Sequence, residues 1–201
     1  MRNAQNIQAL TACKPDYIGF IFYPKSKRYI GDSLDLNTIH QIPDAIKKVG
    51  VFVNATEREV THAVEYFHFD LIQLHGDEPV EYCEKLKKKG YHIIKAFGID
   101  EDFDFQMLEK YKPTVDFFLF DTKSSKYGGT GEKYDWNILE KYDQSVPFFL
   151  SGGIGPDNLN RIEELQGYNI HAIDVNSKFE LEPGLKDIDL LKNTLFKQQK
   201  L

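Results

Sequence analysis

The residues with the clearest chemical potential form an anion-binding pattern in the last third of the chain. Ser151-Gly152-Gly153 is a turn of small residues whose backbone N–H groups can approach phosphate oxygens. Such a turn alone is more often a plain tight turn, but Asn176-Ser177 follows the next apolar segment and offers a second set of donors. The sequence therefore predicts a phosphate site formed by Gly152, Gly153, Asn176 and Ser177.

A short basic loop after the segment Tyr17–Tyr23 offers a second anion-binding group. Arg28 is its best candidate, because a guanidinium can hold a carboxylate with two parallel hydrogen bonds. Lys25 and Lys27 are equally consistent with a solvated run of charge. Arg28 is therefore predicted to bind a carboxylate of the ligand.

Two further polar residues stand at the ends of apolar segments. Asp121 follows Phe117–Phe120, where burial should raise the pKa of its carboxyl and suit it to act as a general acid. The alternative is an Asp that caps the following turn. His75 is retained as a substrate-binding candidate, although a structural, hydrogen-bonded histidine is the favoured interpretation. The glycine-rich segment Thr122–Gly131 predicts a mobile lid over the site.

Short apolar segments must position these residues. Each is almost continuously apolar, which is typical of strands buried on both faces. They are Tyr17–Tyr23, Lys48–Val53, Asp70–His75, His92–Phe97, Asp116–Asp121, Pro147–Ser151 and His171–Asn176. Helical patterns lie between them, with a capping box at Thr56–Glu59, Pro79 in a first turn, a helix opening at Gly155–Asp157 and a cap at Asp187. Alternating strands and helices predict an α/β fold with a parallel sheet.

Two α/β architectures compete. A doubly wound sheet usually carries its phosphate-binding glycines after the first strand, whereas a (β/α)8 TIM barrel often carries them after strands seven and eight. The position of Ser151–Gly153 favours the barrel, as a single domain over residues 1–201. The helical segment Asn3–Ala12 has no strand before it, so we expect seven strands, with the first β-strand of the barrel missing from this chain.

Composition excludes several classes of function. A net charge of −6 argues against nucleic-acid binding, and no apolar run is long enough to cross a bilayer. The N-terminus does not have the pattern of a signal peptide. Cys13 and Cys83 have no partners at metal-ligand spacing, so reduced thiols in a cytoplasmic protein are expected and a metal site is not.

Taken in order, these strand ends resemble the phosphoribosylanthranilate isomerases of tryptophan biosynthesis, over essentially the whole chain. The Tyr23–Arg28 and Gly128–Trp136 segments are specific to that family. The matching stretches are Gly19–Tyr29, Val49–Asn54, Gln73–Gly76, Phe120–Thr122, Tyr127–Gly131, Tyr134–Trp136, Leu150–Gly153, Asp174–Ser177, Glu180 and Pro183–Asp187.

The resemblance implies an Amadori rearrangement of N-(5-phosphoribosyl)anthranilate to 1-(2-carboxyphenylamino)-1-deoxyribulose 5-phosphate. It implies Asp121 as general acid, Arg28 on the anthranilate carboxylate, and the Gly152/Gly153 and Asn176/Ser177 loops on the phosphate. No metal or organic cofactor is implied, and the partner is a small phosphorylated substrate. Such a protein is expected to be a monomer or a homodimer, without nucleic-acid or membrane partners.

Two departures from the family pattern bear on activity. The family's general base is a cysteine at the end of the first strand, and the chain opens just after the place where it would stand. Lys178 replaces a usual glycine in the second phosphate loop. We therefore expect impaired turnover in this chain. The alternatives are a catalytically dead phosphate-ligand-binding barrel acting as a subunit or regulator and, less favoured, indole-3-glycerol-phosphate synthase, whose lysine set and N-terminal extension are lacking.

Overall fold

The computed structural model of the chain describes residues 1–31, 35–122 and 136–195, in which parallel strands alternate with α-helices up to the strand Ile93–Ile99 and with 3₁₀ helices from there to the strand Ile170–Ile173. The strands of these residues are β1 Tyr17–Ile21, β2 Lys47–Phe52, β3 Leu71–Leu74, β4 Ile93–Ile99, β5 Phe117–Thr122, β6 Phe148–Ser151, β7 Ile170–Ile173, β8 Glu180–Glu182 and β9 Leu185–Lys186. The α-helices are α1 Ala4–Thr11, α2 Leu36–His40, α3 Glu57–Phe67, α4 Val80–Lys88 and α5 Ile188–Leu195. Short 3₁₀ helices are Phe105–Leu108, Lys112–Thr114, Trp136–Lys141, Leu159–Leu165 and Ser177–Phe179.

The described residues contain one seven-stranded parallel sheet, in which β1 to β7 pair in chain order, and a two-stranded antiparallel hairpin of β8 and β9. Parallel neighbours need crossover connections, and these place helices against the sheet. The apolar segments predicted as strands are confirmed as β1–β7, with ends that differ by up to three residues, as at Ile173 against the predicted Asn176. Continuous apolar patterns therefore located the sheet correctly.

The two faces of the sheet carry separate apolar cores. The inner core, enclosed by the curl of the sheet, consists of Val49, Val51, Leu71, Ile94, Ala96, Leu119 and Phe149. The outer core packs strand residues such as Phe118 and Phe148 against helices, among them Val60 of α3 and Leu86 of α4. Because both faces are covered, the strands are apolar along their whole length rather than alternating.

A side chain of β1 contacts side chains of β6 and β7 at the opposite end of the sheet, which shows that the sheet is curled. The Tyr17 ring of β1 lies 5.0 Å from the Phe149 ring of β6. The Tyr17 hydroxyl is 2.6 Å from His171 Nε2 on β7. Nevertheless, β1 and β7 share no backbone ladder within the described residues. The described sheet is thus a curled, open α/β sheet of the TIM type.

Local sequence explains most helix ends. Thr56 and Glu59 form the predicted capping box at the start of α3, and Asp187 Oδ1 accepts from Leu190 N at the start of α5. The helix expected from Gly155 instead begins at Leu159 and is 3₁₀. Asn158 binds back to the preceding loop, accepting from Gly155 N and donating to Gly153 O, so these residues form a turn rather than a first α-helical turn.

None of the helices in residues 1–31, 35–122 and 136–195 combines the length and the apolar character needed to cross a membrane.

Candidate active site

A cavity of about 550 Å³ runs along the gap between β1 and β7. Tyr17 and His171 line it toward the amino ends of the strands. At the carboxyl ends it is lined by three of the predicted site residues, Arg28, His75 and Asn176. This is the end of a parallel α/β sheet where ligands bind, because the loops there converge and can vary without disturbing the core. We refer to this carboxyl-end part of the cavity as the site.

Arg28 reaches the site from the loop after β1 and is held by Glu180 of β8. Its Nε donates to Glu180 Oε2 at 2.8 Å and its Nη2 donates to the same oxygen at 2.6 Å. The Glu180 side chain is only 4% exposed, whereas that of Arg28 is 25% exposed. The buried Glu180 carboxylate therefore orients the Arg28 guanidinium, which remains partly accessible from the cavity. Lys25 and Lys27 are exposed, as expected for a solvated run of charge.

Asp121, near the carboxyl end of β5, and His75, which directly follows β3, lie close together at the rim of the site. The nearest atoms, Asp121 Oδ2 and His75 Nε2, are 3.7 Å apart. Gln73 Nε2 lies 2.8 Å from His75 Nδ1. With the amide of Gln73 donating, the imidazole carries its proton on Nε2 and presents it toward Asp121. The Asp121 side chain is 35% exposed, so it lacks the deep burial that the apolar strand suggested.

Asp174, which follows β7, is a half-buried residue that brings another carboxyl to this site. Burial raises the pKa of Asp174, against the opposing effects of the Lys186 charge and a hydrogen bond from Ser151 Oγ to Asp174 Oδ2 at 3.1 Å. Of its other neighbours, His75 acts to lower the pKa of Asp174 and Asp121 acts to raise it. Sequence reasoning did not select Asp174, although its place at a strand end is the same signal that selected Asp121.

The predicted phosphate loops lie side by side. Gly152 and Gly153 adopt positive φ angles of 101° and 60°, a region that glycine enters without strain. A Cβ placed on Gly155 would lie 3.0 Å from Lys178 Cβ, so the loop after β6 touches the loop that contains Asn176 and Ser177. Lys178 itself is exposed. The two loops thus form one surface of small residues and backbone groups.

Lys186 of β9 is a buried cation of the site that sequence reasoning also missed. Its Nζ donates to Asn176 Oδ1 at 2.8 Å, to Asn176 O at 3.1 Å and to Val175 O at 3.2 Å. It also lies 3.5 Å from Glu180 Oε1. Burial lowers the pKa of Lys186, while Glu180 and Asp174 act to raise it. Glu180 and Lys186 lie in stretches of the sequence that were noted only for their resemblance to the family, and no role was predicted for either residue.

The open edge of β1 borders the cavity. Gly19 is exposed although it lies in the middle of the strand, and its carbonyl oxygen accepts from the Met1 nitrogen at 3.2 Å. Cys13 and Cys83 are both buried, and burial raises the pKa of both thiols, that of Cys83 to about 11. Of the predicted lid, Thr122–Gly131, Thr122 is the last residue of β5, and residues 123–131 fall outside the described residues. No group of three potential metal ligands is found in the part of the chain that is described.

Three comparisons relate this chain to known proteins. The family described as N-(5'phosphoribosyl)anthranilate (PRA) isomerase matches residues 1–197. An N-(5'-phosphoribosyl)anthranilate isomerase of Parabacteroides distasonis is 46% identical over 197 residues, which cover 96% of this chain and 88% of that protein. The one from Phocaeicola vulgatus is 39% identical, with 100% and 95% coverage. The crystal structure of phosphoribosyl anthranilate isomerase from Thermotoga maritima matches with a TM-score of 0.82 at 33% identity, covering 100% of this chain and 96% of that one.

Proposed function

Because this chain belongs to the phosphoribosylanthranilate isomerase family, we propose that its site isomerises N-(5'-phosphoribosyl)anthranilate in tryptophan biosynthesis. The observation that carries the proposal is that Arg28 and Asn176 line one cavity, so a carboxylate-binding cation and a phosphate loop face the same ligand. The crystal structure of a phosphoribosyl anthranilate isomerase in complex with reduced 1-(o-carboxyphenylamino)-1-deoxyribulose 5-phosphate, hereafter rCdRP, has a TM-score of 0.80 with this chain at 29% identity.

In this proposal the two anionic ends of the substrate fix its orientation. Arg28 binds the anthranilate carboxylate, since its guanidinium is oriented by Glu180 and remains open to the cavity. Gly152 and Gly153 bind the phosphate together with Asn176 and Ser177, through backbone N–H groups of the two adjacent loops. The ribose between these ends then lies over the carboxyl ends of the strands, where the acid and base must act.

Asp121 is proposed as the general acid that protonates the furanose ring oxygen and opens the ring to a Schiff base. Its side chain is partly exposed, so it is accessible to a ligand, and His75 Nε2 lies 3.7 Å from Asp121 Oδ2. Removal of the C2′ proton requires a base, and both described thiols are buried with raised pKa values. A buried thiol with a raised pKa is a poor base, so neither Cys13 nor Cys83 is assigned this step.

We further propose that β1–β7 correspond to strands two to eight of a TIM barrel. A parallel strand inserted between β1 and β7 would pair with both open edges and occupy the space that leaves Gly19 exposed. The base would stand at the carboxyl end of that strand, as the family resemblance implies. In this proposal the 201 residues are one domain, cytoplasmic and either monomeric or homodimeric, and turnover without that strand is low.

The test compares the chain with a version extended at its N-terminus by a strand ending in Lys-Ile-Cys-Gly, the form of the family motif. Loss of phosphoribosylanthranilate is followed by fluorescence. The extended protein is expected to turn over, and Asp121→Asn in it should lower kcat by about 10² to 10⁴, the usual contribution of a general acid. A well-folded extended protein that binds rCdRP without turnover would contradict the isomerase and favour a ligand-binding subunit.

A further inference from the structure

Glu180 contacts only one edge of the Arg28 guanidinium. Its Oε2 accepts from Nε and Nη2 of Arg28, and its Oε1 accepts from Nε at 3.1 Å. A guanidinium has five donors in a plane, and the edge formed by Nη1 and Nη2 is the second one suited to a carboxylate. Glu180 therefore does not compete for the edge that a ligand carboxylate would take. It fixes the plane in which that edge is presented.

The Glu180 carboxylate is itself held in place. Gly184 N donates to Glu180 Oε1 at 3.2 Å. Burial on its own would raise the pKa of Glu180, but the hydrogen bonds from Arg28 and Gly184 and the charge of Lys186 lower it overall. Glu180 is thus charged across the neutral range, and it lies between two cations, Arg28 and Lys186.

Lys186 has no donor left for a ligand. An ammonium carries three N–H donors, and its three closest acceptors are the Oδ1 and O of Asn176 and the O of Val175. Its backbone is equally fixed, because Asn6 Nδ2 donates to Lys186 O at 2.9 Å and Lys186 N donates to Asn6 Oδ1 at 2.8 Å. This buried lysine therefore acts on the shape of the loop at Asn176.

We infer that Glu180 and Lys186 are positioning residues that join the two anion-binding ends of the site into one unit, which we call the ion-pair network (Arg28, Glu180, Lys186 and Asn176). Glu180 orients Arg28 toward the ligand carboxylate, and Lys186 orients Asn176 toward the phosphate. The inference rests on the proposed function and deepens it, because the network sets the distance and angle between carboxylate and phosphate. Ligands that carry both anions at the right separation are selected.

The first experiment is a double-mutant cycle read by calorimetric titration with rCdRP. Glu180→Gln should weaken binding about tenfold, by analogy with the loss of metal affinity when a group that orients a metal ligand is removed. In the Arg28→Met background the same change should alter the affinity less than twofold, because Glu180 acts through Arg28. Glu182→Gln, on the same strand but exposed, is the matched control and should leave binding unchanged.

A second cycle tests the phosphate end with inorganic phosphate as the probe. Lys186→Met should weaken phosphate binding severalfold, and Asn176→Ala should add nothing in that background. Lys192→Met, an exposed lysine on α5, is the control. If Lys186→Met does not fold, Asn176→Ala alone serves, because it leaves the lysine in place. Unchanged phosphate affinity in it would overturn this link.

The outcomes separate the inference from the function on which it rests. A wild-type chain that does not bind rCdRP would reject the proposed function, and the inference with it. If the wild type binds rCdRP, the inference alone would be overturned by any of three results. Glu180→Gln could bind rCdRP with unchanged affinity, it could bind more tightly, or its effect on affinity could be additive with that of Arg28→Met. Tighter binding would mean that Glu180 competes with the ligand for Arg28 rather than orienting it.

Discussion

Two buried lysine–glutamate pairs lie at the carboxyl ends of the strands and have different surroundings. Lys95 of β4 and Glu78, before α4, are 2% and 3% exposed, with Nζ and Oε2 3.1 Å apart. Three backbone carbonyl oxygens, those of Leu74, Gly76 and Ala96, also lie within hydrogen-bond distance of Lys95 Nζ, so they and Glu78 share its three N–H donors. Lys186 and Glu180 are 10% and 4% exposed, and Glu180 also holds Arg28, which opens to the cavity. The first pair, which we call the closed pair, contacts only protein groups. The second, which we call the open pair, also contacts Arg28, a cation that is accessible to a ligand.

A buried ion pair does not by itself mark a functional site. Both pairs fix loops after strands: the Glu78 carboxylate accepts from the backbone nitrogens of Asn54 and Gly76, and Lys186 fixes Asn176. The two pairs differ in their additional partner, which is the backbone for Lys95 and Glu78 and the ligand-accessible Arg28 for Glu180. Removing Glu78 should therefore mainly change stability, and removing Glu180 should mainly change ligand binding.

The largest expected effect is on stability, from breaking the closed pair. Glu78→Ala leaves the Lys95 charge buried without its counter-ion and should lower the free energy of unfolding by about 3–5 kcal/mol. Urea denaturation of the variant measures this. In the double variant Glu78→Leu/Lys95→Met no charge remains to be compensated, so much of the loss should be recovered. A loss below about 1 kcal/mol in Glu78→Ala would contradict the closed-pair description.

The open pair should be less important for stability. Glu180→Gln is expected to lower the free energy of unfolding by about 1–2 kcal/mol, because the partly exposed Arg28 can regain contact with water. The same denaturation series measures it beside the rCdRP titration. The comparison would fail if Glu180→Gln destabilised the protein as much as Glu78→Ala while leaving rCdRP affinity intact.

The carboxyl of Asp174, which lies near the open pair, should make the stability of the protein depend on pH. The pKa of Asp174 is raised from its usual 3.8 by burial, so the native state holds this proton more tightly than the unfolded chain. Its stabilising contribution is complete below the unfolded pKa and is lost as the pH rises through the native pKa. Asp174→Asn should therefore stabilise the protein at neutral pH relative to wild type. That gain should shrink on acidification.

Unfolding curves at several pH values between 3 and 7 measure this difference, with Asp189→Asn, an exposed change on α5, as the control. A gain of the same size at every pH would show that the substitution acts through packing and not through the carboxyl charge.

The smallest effect is expected for a third lysine–glutamate pair, on the surface of α4. Glu84 and Lys88 are 48% and 72% exposed and interact one helical turn apart. Glu84→Gln should change the free energy of unfolding by less than about 0.5 kcal/mol, since water replaces the lost contact. If Glu84→Gln lowered the free energy of unfolding as much as Glu78→Ala in the same denaturation assay, burial could not explain the differences in stability among the three pairs.

The sequence predicted what depends on local pattern. Strand positions followed from continuous apolar runs, and the α3 cap followed from Thr56 and Glu59. Arg28, His75 and Asn176 were selected by their place after strands, and they line one cavity. Strand ends converge in a parallel sheet, so even a one-dimensional pattern brings these residues together.

What depends on distant pairing could not be predicted. Glu180 meets Arg28 across 152 positions of the chain, and no local pattern distinguishes it from exposed Glu182. The 3₁₀ helix after Gly155 had an α-helical signature, but the Asn158 side chain bonded back to the loop. Asp121 belongs to the apolar strand β5 yet stays partly exposed, because it lies near the carboxyl end of the strand, at the rim of the site and not inside the core.

The tie between Asn6 and Lys186 has a consequence for synthesis of the protein. Its partners are separated by 180 positions, so it can form only after residue 186 has left the ribosome. Closing so long a loop carries a large entropic cost, which is met only after the intervening sheet has assembled. The hairpin that orients Arg28 should therefore be among the last elements to settle, and the nascent protein would acquire its fold before its affinity for ligand.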